Sequence, residues 1–321
     1  MLNLVTGGAG FVGSHLVDAL LSAGDDVIIV DNLSTGNLRN LERALQSKRC
    51  TFVFGDITQP FHALLEPVLA GRRLDKIFHL ASPASPDAYG NHPWETLLVN
   101  SVGTMSLIDL AIAHGARMLY TSTSEIYGDP LVHPQPETYF GNVDTLGERA
   151  CYDEGKRFGE AAISVGIRSR GLDACLVRLF NCYGSRMSAA DGRLIPALVA
   201  AADASKPLPI HGTGLQTRSM TYIDDAIELI LIVMATRKPM LEPVNVGNDD
   251  ERTVLEIAES FAKAAEIPFE VEYLPTRPSD PQRRKPDLTR ARALGWAPRT
   301  SLESGLRTTI AWFREASLSY V

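Results

Sequence analysis

Two patterns of apolar and polar positions divide the chain. Over roughly the first 180 residues, short and almost wholly apolar runs alternate with longer stretches of helical periodicity. The runs Leu2–Thr6, Val27–Asp31, Thr51–Phe54, Lys76–Leu80, Met118–Ser122 and Ala174–Phe180 predict strands. Helices are predicted between them near 11–23, 38–46, 61–70, 93–114 and 152–170. Strands without polar alternation suit a sheet covered by helices on both faces, and the strand–helix order predicts right-handed parallel crossovers. Beyond Phe180 the loops lengthen and carry more Gly, Pro and Arg, with helices predicted near 193–204, 224–236, 253–265, 288–294 and 302–315. Short strands are predicted near 208–210, 243–246 and 269–273. The expected fold is therefore α/β, a doubly wound parallel sheet over 1–180 and a smaller C-terminal lobe over 181–321, from which 223–247 returns to the sheet. The polar stretch 126–150 has no clear period, and a loop of that length inside a compact domain is usually functional.

Composition narrows the class. With 45% hydrophobic and 21% charged residues in 321, the chain is an ordinary globular one. A formal charge of −7 argues against a nucleic-acid partner, which would call for a basic face. The four cysteines form no Cys-x-x-Cys pair and the histidines are scattered, so neither a metal site nor a disulfide framework is expected. The first apolar run already leads into a glycine loop, leaving no room for a signal peptide, and the later run Ile227–Ala235 is interrupted by Glu228 and falls short of the ~18 residues that span a bilayer. No membrane association and a cytoplasmic location are the expectations.

The opening strand runs into Gly7-Gly8-Ala9-Gly10-Phe11-Val12-Gly13 and then a helix. Glycines there let the backbone turn sharply and approach a pyrophosphate, while the helix N-terminus offers unpaired N–H groups to it. Asp31 ends the second strand 18 residues after Gly13, where a carboxylate accepts from ribose hydroxyls and repels a 2′-phosphate. The reading is a Rossmann-type domain binding NAD rather than NADP. Gly7, Gly10, Phe11, Val12, Gly13 and Asp31 are its candidate contacts, with Asn32, Ser34, Thr35 and Gly36 after the second strand, and Leu80 and Ala81 after the fourth. Asp56 and Ile57 follow the third strand; Asp56 either reaches the adenine edge or caps the helix before which Pro60 lies.

Tyr152 and Lys156 stand four residues apart, on one face of the predicted helix. A phenol is a poor base at neutral pH, and a neighbouring ammonium together with a positive nicotinamide would favour its ionised form. Tyr152 would then take a proton from a sugar hydroxyl as hydride leaves the same carbon, and Lys156 would also hold the nicotinamide ribose. Thr123 or Ser124, at the end of the fifth strand, is the candidate third hydroxyl.

Together these residues resemble the extended short-chain dehydrogenase/reductase family over almost the whole chain. Within it, several segments look closer to the UDP-glucuronate decarboxylases, which make UDP-xylose. They are His79-Leu-Ala-Ser-Pro-Ala-Ser-Pro86, Ser122-Thr-Ser-Glu-Ile-Tyr-Gly-Asp-Pro130, His133-Pro-Gln, Arg149-Ala-Cys-Tyr-Asp-Glu-Gly-Lys-Arg157, Asp191-Gly-Arg193, Gln216-Thr-Arg218 and Arg284-Lys-Pro-Asp287. The resemblance implies oxidation at C4 of a glucuronate, loss of carbon dioxide from the resulting β-keto acid, and re-reduction. It implies Tyr152, Lys156, Thr123, Ser124, Glu125 and Arg284 as the catalytic set, with Arg284 facing the substrate carboxylate. Tyr89, Asn181, Arg193 and Arg218 would line the sugar and diphosphate, and Arg186 would serve the cofactor side or the lobe interface. A homodimer through the helices near 100–114 and 152–168 is also implied. Departures are Leu98 where relatives carry a Lys, Cys182 for a small hydroxyl residue, and Ser185 for a Pro.

Alternatives remain within and beyond the family. Ser124-Glu125 stands where related 4,6-dehydratases carry Asp-Glu, and 4-epimerases usually lack the Glu. Leu98 leaves open release of the 4-keto pentose before its reduction. A silent dinucleotide sensor that binds a partner protein would tend to lose Tyr or Lys of the pair, and both are present here.

Overall fold

The computed structural model describes residues 1–189, 191–236, 239–276 and 281–318. Seven parallel strands form the central sheet: β1 (Leu2–Thr6), β2 (Asp26–Asp31), β3 (Cys50–Phe54), β4 (Lys76–His79), β5 (Arg117–Thr123), β6 (Ala174–Leu179) and β7 (Val244–Val246). Their order is β7-β6-β5-β4-β1-β2-β3, which reverses between β1 and β4. A sheet wound in both directions from one point opens a crevice beyond the strand ends there, and ligands bind in it.

Successive residues of each strand face opposite layers, and both layers are apolar. Val5, Val27, Ile29, Phe78, Leu119 and Val177 join one core; Leu4, Ile28, Val30, Ile77, Met118 and Leu176 join the other. Helix α1 (Phe11–Ser22) buries Leu16, Val17 and Leu20 in the first. Helices α2 (Pro93–His114) and α3 (Ala150–Arg170) pack against the second. α2 is long and apolar enough to cross a membrane by length and composition, a match the reading of the sequence passed over. In the fold one side of it is occupied by the sheet and by α3. It carries a π-type turn at Val99–Gly103, a feature that often marks functional positions, and this turn holds the buried Asn100 beside Gly155 of α3.

The predicted elements are present with shifted ends. The stretch 38–46 is a 3₁₀ turn, Leu38–Leu41, followed by a single α turn. Helix α4 (Leu194–Asp203), α5 (Ile223–Met234), α6 (Val254–Ala265) and α7 (Leu302–Leu318) follow in the second half. α5 packs on α1 and β6, and β7 pairs with β6 in the main sheet. Three two-stranded pairs were not all foreseen: Cys182–Tyr183 with Thr221–Tyr222, Thr217–Ser219 with Glu251–Thr253, and Leu208–His211 with Val271–Leu274. Phe261, Leu306, Ile310 and Phe313 of the lobe belong to the same apolar cluster as Val5 and Leu16. The lobe is thereby seated on the sheet layer rather than joined by a linker.

Candidate active site

Every candidate catalytic, cofactor and substrate residue named from the sequence lines one cleft of about 790 Å³ at the ends of β1, β4, β5 and β6. Its first half fits a dinucleotide. Gly7 has φ +73°, and a Cβ there would lie 2.6 Å from the Ala81 nitrogen. A Cβ at Gly13 would come within 2.1 Å of the Gly7 carbonyl oxygen, so only glycine allows this turn to close onto α1. Asp31 is buried at the end of β2 and accepts from the backbone N–H groups of Ala9 and Leu33, at 2.9 and 2.8 Å. Burial pushes its carboxyl up against the pull of those two bonds. Asn32, Ser34, Thr35 and Gly36 continue the rim, and Leu80 and Ala81 form the floor after β4. Asp56 does not cap the helix after Pro60, whose N-cap is Phe61 without a side-chain bond; its Oδ1 accepts from the Thr58 backbone at 2.9 Å in a local turn and its Oδ2 from Asn32 at 3.1 Å, while the residue lines the cleft beside Ile57. The glycine cradle and the Asp31 carboxylate are the features that the dinucleotide requires, and they fit NAD.

The second half holds the acid–base pair. α3 buries Tyr152, Lys156, Gly159 and Ile163 along one stripe, so the helix is pinned while it presents both side chains to the cleft. Lys156 Nζ donates to the Thr121 carbonyl at 2.9 Å, and burial pulls the ammonium down to about 7 against the upward effect of Glu160. Burial pushes the Tyr152 phenol well above its usual value, and a hydrogen bond with Thr123 opposes this. Glu125 and Asp153 push it further up and Arg193 pulls it down. Lys156 Nζ lies 5.9 Å from the Tyr152 ring centroid, and Thr123 and Arg193 are neighbours that favour ionisation. Thr123 also caps the 3₁₀ turn Ser124–Tyr127 by accepting from the Glu125 N–H at 3.2 Å. Ser124 is buried on the cleft wall.

Beside this pair lies a compact charge cluster. Glu125 is bound by Arg284 at 2.6 Å on one oxygen and by Arg149 on the other. Burial alone would push its carboxyl up; Arg284, Arg149 and Arg218 together hold it below the usual carboxylate range. Arg284 is 7% exposed, lines the cleft, and its Nη2 has no hydrogen-bond partner. A buried guanidinium with an open N–H is a ready partner for an incoming carboxylate. Arg149 was not among the residues assigned a role, although it opens the segment that carries Tyr152 and Lys156. Its contact with Glu125, across 24 residues, and its place over the Tyr89 ring reveal it.

Tyr89 stacks on Tyr152 with centroids 5.1 Å apart and planes at 11°, and its hydroxyl is buried without a partner. The Asn181 Oδ1, after β6, is likewise buried and unpartnered. Arg193 pairs with Asp191 and lies over the Phe11 ring at 5.8 Å. Arg218 reaches the carbonyls of Thr217 and Pro281 at 2.8 and 2.9 Å. Arg186 is in the left-handed region at φ +66°, pairs with Asp18 at 2.6 Å, and keeps Nη1 buried without a partner. Leu98 and Cys182 are both on the wall, and burial raises the Cys182 thiol to about 12, which leaves it unreactive.

Comparison with known proteins agrees with this geometry. Residues 3–247 match the model of the NAD dependent epimerase/dehydratase family. UDP-glucuronic acid decarboxylase 1 of Arabidopsis thaliana is 43% identical over 317 residues, covering 98% of this chain and 70% of that protein. A UDP-glucose 4-epimerase of Thermotoga maritima, solved with UDP-glucose, superposes with a TM-score of 0.89 at 30% identity, over 99% of this chain and 100% of that one. A UDP-glucuronic acid 4-epimerase of Bacillus cereus, solved with UDP-glucuronic acid and NAD, gives 0.88 at 26% identity, over 98% and 100%.

Proposed function

The chain belongs to the NAD dependent epimerase/dehydratase family, and from that premise we propose that it is an NAD-dependent decarboxylase converting UDP-glucuronate to UDP-xylose. The observation that carries the reading is the cluster at the tip of β5. Glu125 is held ionised between Arg149 and Arg284, and Arg284 lines the same cleft as Tyr152 and carries a buried Nη2 without a hydrogen-bond partner. A site for a neutral hexose has no need of a spare buried guanidinium, whereas a hexuronate carboxylate takes it as a fork-shaped partner.

Gly7, Gly10 and Gly13 with Asp31 would hold NAD, which when bound would supply the two-electron acceptor and donor for C4 of the sugar. Tyr152, as the phenolate that the Thr123 hydroxyl favours by its hydrogen bond, takes the proton of the C4 hydroxyl and becomes the neutral phenol. Arg284 orients the C6 carboxylate next to the new C4 ketone. Loss of carbon dioxide then moves charge onto the C4 oxygen, where the hydroxyls of Tyr152 and Ser124 serve as donors. Once C5 has taken a proton, reduction at C4 returns the Tyr152 proton to the C4 oxygen. Ser124 lacks the acidity to expel the C6 hydroxyl as water, so dehydration is the weaker alternative. Tyr89, Asn181 and Arg193 bound the sugar, and Arg218 serves the diphosphate.

We further propose a homodimer. Val102 and Met105 of α2 and Phe158 and Val165 of α3 leave an exposed apolar face on two adjacent helices. Four free thiols support a reducing compartment such as the cytoplasm.

The test of the reaction is product analysis by NMR with UDP-glucuronate and catalytic NAD. Carbon dioxide release with UDP-xylose is expected, and Tyr152→Phe is expected to lower kcat by about 10³-fold while leaving UDP binding intact. Turnover of another nucleotide sugar, with none of UDP-glucuronate, would refute the assignment.

A further inference from the structure

The segment His133-Pro134-Gln135 belongs to the sequence signature, yet none of the chemistry above uses it. In the fold it lies against the segment that carries Arg284. Gln135 is 1% exposed and grips that segment with its backbone and its side chain. Its N–H donates to the Lys285 carbonyl at 2.8 Å, its Oε1 accepts from the Lys285 N–H at 2.8 Å, and its carbonyl accepts from the Asp287 N–H at 2.9 Å. Both backbone polar groups of the residue next to Arg284 are therefore held by one side residue. The Gln135 Nε2 is in turn fixed by the Val132 carbonyl at 2.9 Å.

The grip is anchored to the helix of the acid–base pair. Asn245 Nδ2 donates to the carbonyls of Gln135 and Asp287 at 2.9 and 3.1 Å. Its Oδ1 accepts from the Tyr127 hydroxyl at 2.8 Å, which accepts from Arg178 at 2.9 Å. Arg178 forks onto Glu160, one turn beyond Lys156 on α3, at 2.9 and 2.7 Å. A second anchor runs through Glu251, which meets His133 at 3.0 Å and Thr217 at 2.6 Å, beside Arg218. A buried network with its members satisfied is rigid, so it transmits position rather than merely adding stability.

We propose that Gln135 is a positioning residue for Arg284, setting the guanidinium at the height where it bridges Glu125 and still offers an N–H to a sugar carboxylate. The inference rests on the decarboxylase reading, because it gives Arg284 a carboxylate to meet. Gln135→Met keeps length and volume and the backbone bonds while removing the acceptor for the Lys285 N–H.

Binding is measured by calorimetry on NAD-loaded protein in the Tyr152→Phe background, with UDP-glucuronate, UDP-glucose and UDP as ligands. Without further substitution, UDP-glucuronate should bind more tightly than UDP-glucose. Gln135→Met is expected to remove about tenfold of that preference and leave UDP affinity unchanged. Adding Gln135→Met to Arg284→Ala should cost no further preference, since the positioned group is already gone. An intact preference in Gln135→Met, additive losses in the double variant, or a parallel loss for all three ligands would each overturn the proposal. The last outcome includes a variant that fails to fold and no longer binds UDP. If the protein without these substitutions shows no preference for the acid sugar, the decarboxylase reading itself fails and this inference falls with it.

Discussion

Lys156 and Asp153 occupy one turn of α3, and burial acts on their charges in opposite senses. Both are driven to about 7, Lys156 downward from 10.5 by burial, Asp153 upward from 3.8 by burial and the Glu125 charge. For Asp153 the folded state binds more protons than the unfolded between about 4 and 7, so stability falls as pH rises through that window and is then level. For Lys156 the folded state binds fewer protons between about 7 and 10.5, so its contribution rises with pH there; below 7 the cost of the buried ammonium is fully present. Urea unfolding of dinucleotide-free protein at pH 7 and pH 9 should show the stability difference between wild type and Lys156→Met shifting toward wild type by about 2 kcal/mol at the higher pH. Taking the difference removes the buried thiols, which titrate late in both proteins. No shift would mean that Lys156 is not desolvated as the fold places it. Leu98 supports a second expectation. It lines the wall that receives the sugar, and Leu98→Lys should lower KM for UDP-glucuronate several-fold with little effect on UDP binding. An unchanged KM would show that Arg284 already satisfies the carboxylate. At this scale the sequence was legible where chemistry repeats at fixed spacing, as for Tyr152 and Lys156. Arg149 and Thr123 were misjudged or left open because their partners are set by how the tip of β5 meets the start of α3, which no local spacing encodes.

Helix α3 comes close to the sheet and to α2 because glycines recur among its buried positions, at Gly155, Gly159 and Gly166. A Cβ at Gly159 would lie 2.1 Å from the Tyr120 hydroxyl, and Tyr120 is fully buried on β5 with no room to withdraw. One at Gly155 would meet Asn100 Cβ at 3.3 Å, inside the π-type turn of α2. Gly159→Ala should therefore displace the helix rather than the tyrosine. The gain in helix propensity is up to ~1 kcal/mol, against overpacking of ~1–3 kcal/mol, so a lower melting temperature is expected. Because Tyr152 and Lys156 ride on the same helix, kcat should fall as well. A variant as stable and as active as wild type would show that the helix stands further from β5 than described. The strands and long helices were readable because burial imposes a period on them. The π-type turn was not, since the bond from Asn100 Nδ2 to Ser82, 18 residues away, is a tertiary matter. The pair Cys182–Tyr183 with Thr221–Tyr222 has too few residues to show any period and exists because two distant loops meet.

In the whole molecule, the reversal of strand order between β1 and β4 places the glycine loop, the floor at Leu80–Ala81 and the β5 tip around one opening, and the lobe covers it with Arg193, Arg218 and Arg284. The order of strands could be inferred from the crossovers, but the convergence of Arg284 on Glu125 required the lobe to be packed in place. That same packing uses one face of the sheet and leaves α2 and α3 on the other with Val102, Met105, Phe158 and Val165 outward, at 41%, 45%, 44% and 59% exposure. Phe158, Ala161 and Val165 recur at helical spacing on one side of α3, so the apolar positions form a stripe rather than scattered points. Two such stripes from a pair of chains would close into a four-helix bundle by a self-complementary contact. Since these side chains are solvent-facing in the single chain, Met105→Glu with Val165→Glu should leave the fold and the cleft intact while placing charges inside the bundle. Sedimentation equilibrium at micromolar concentration should give about twice 35.0 kDa for wild type and 35.0 kDa for the double variant. A wild-type mass of 35.0 kDa, or a double variant that remains a dimer, would move the interface elsewhere or abolish it. Because the stripe runs along α3, the helix bearing Tyr152 and Lys156, the double variant should also show a lower kcat if association stiffens that helix, with UDP affinity unchanged as the internal control.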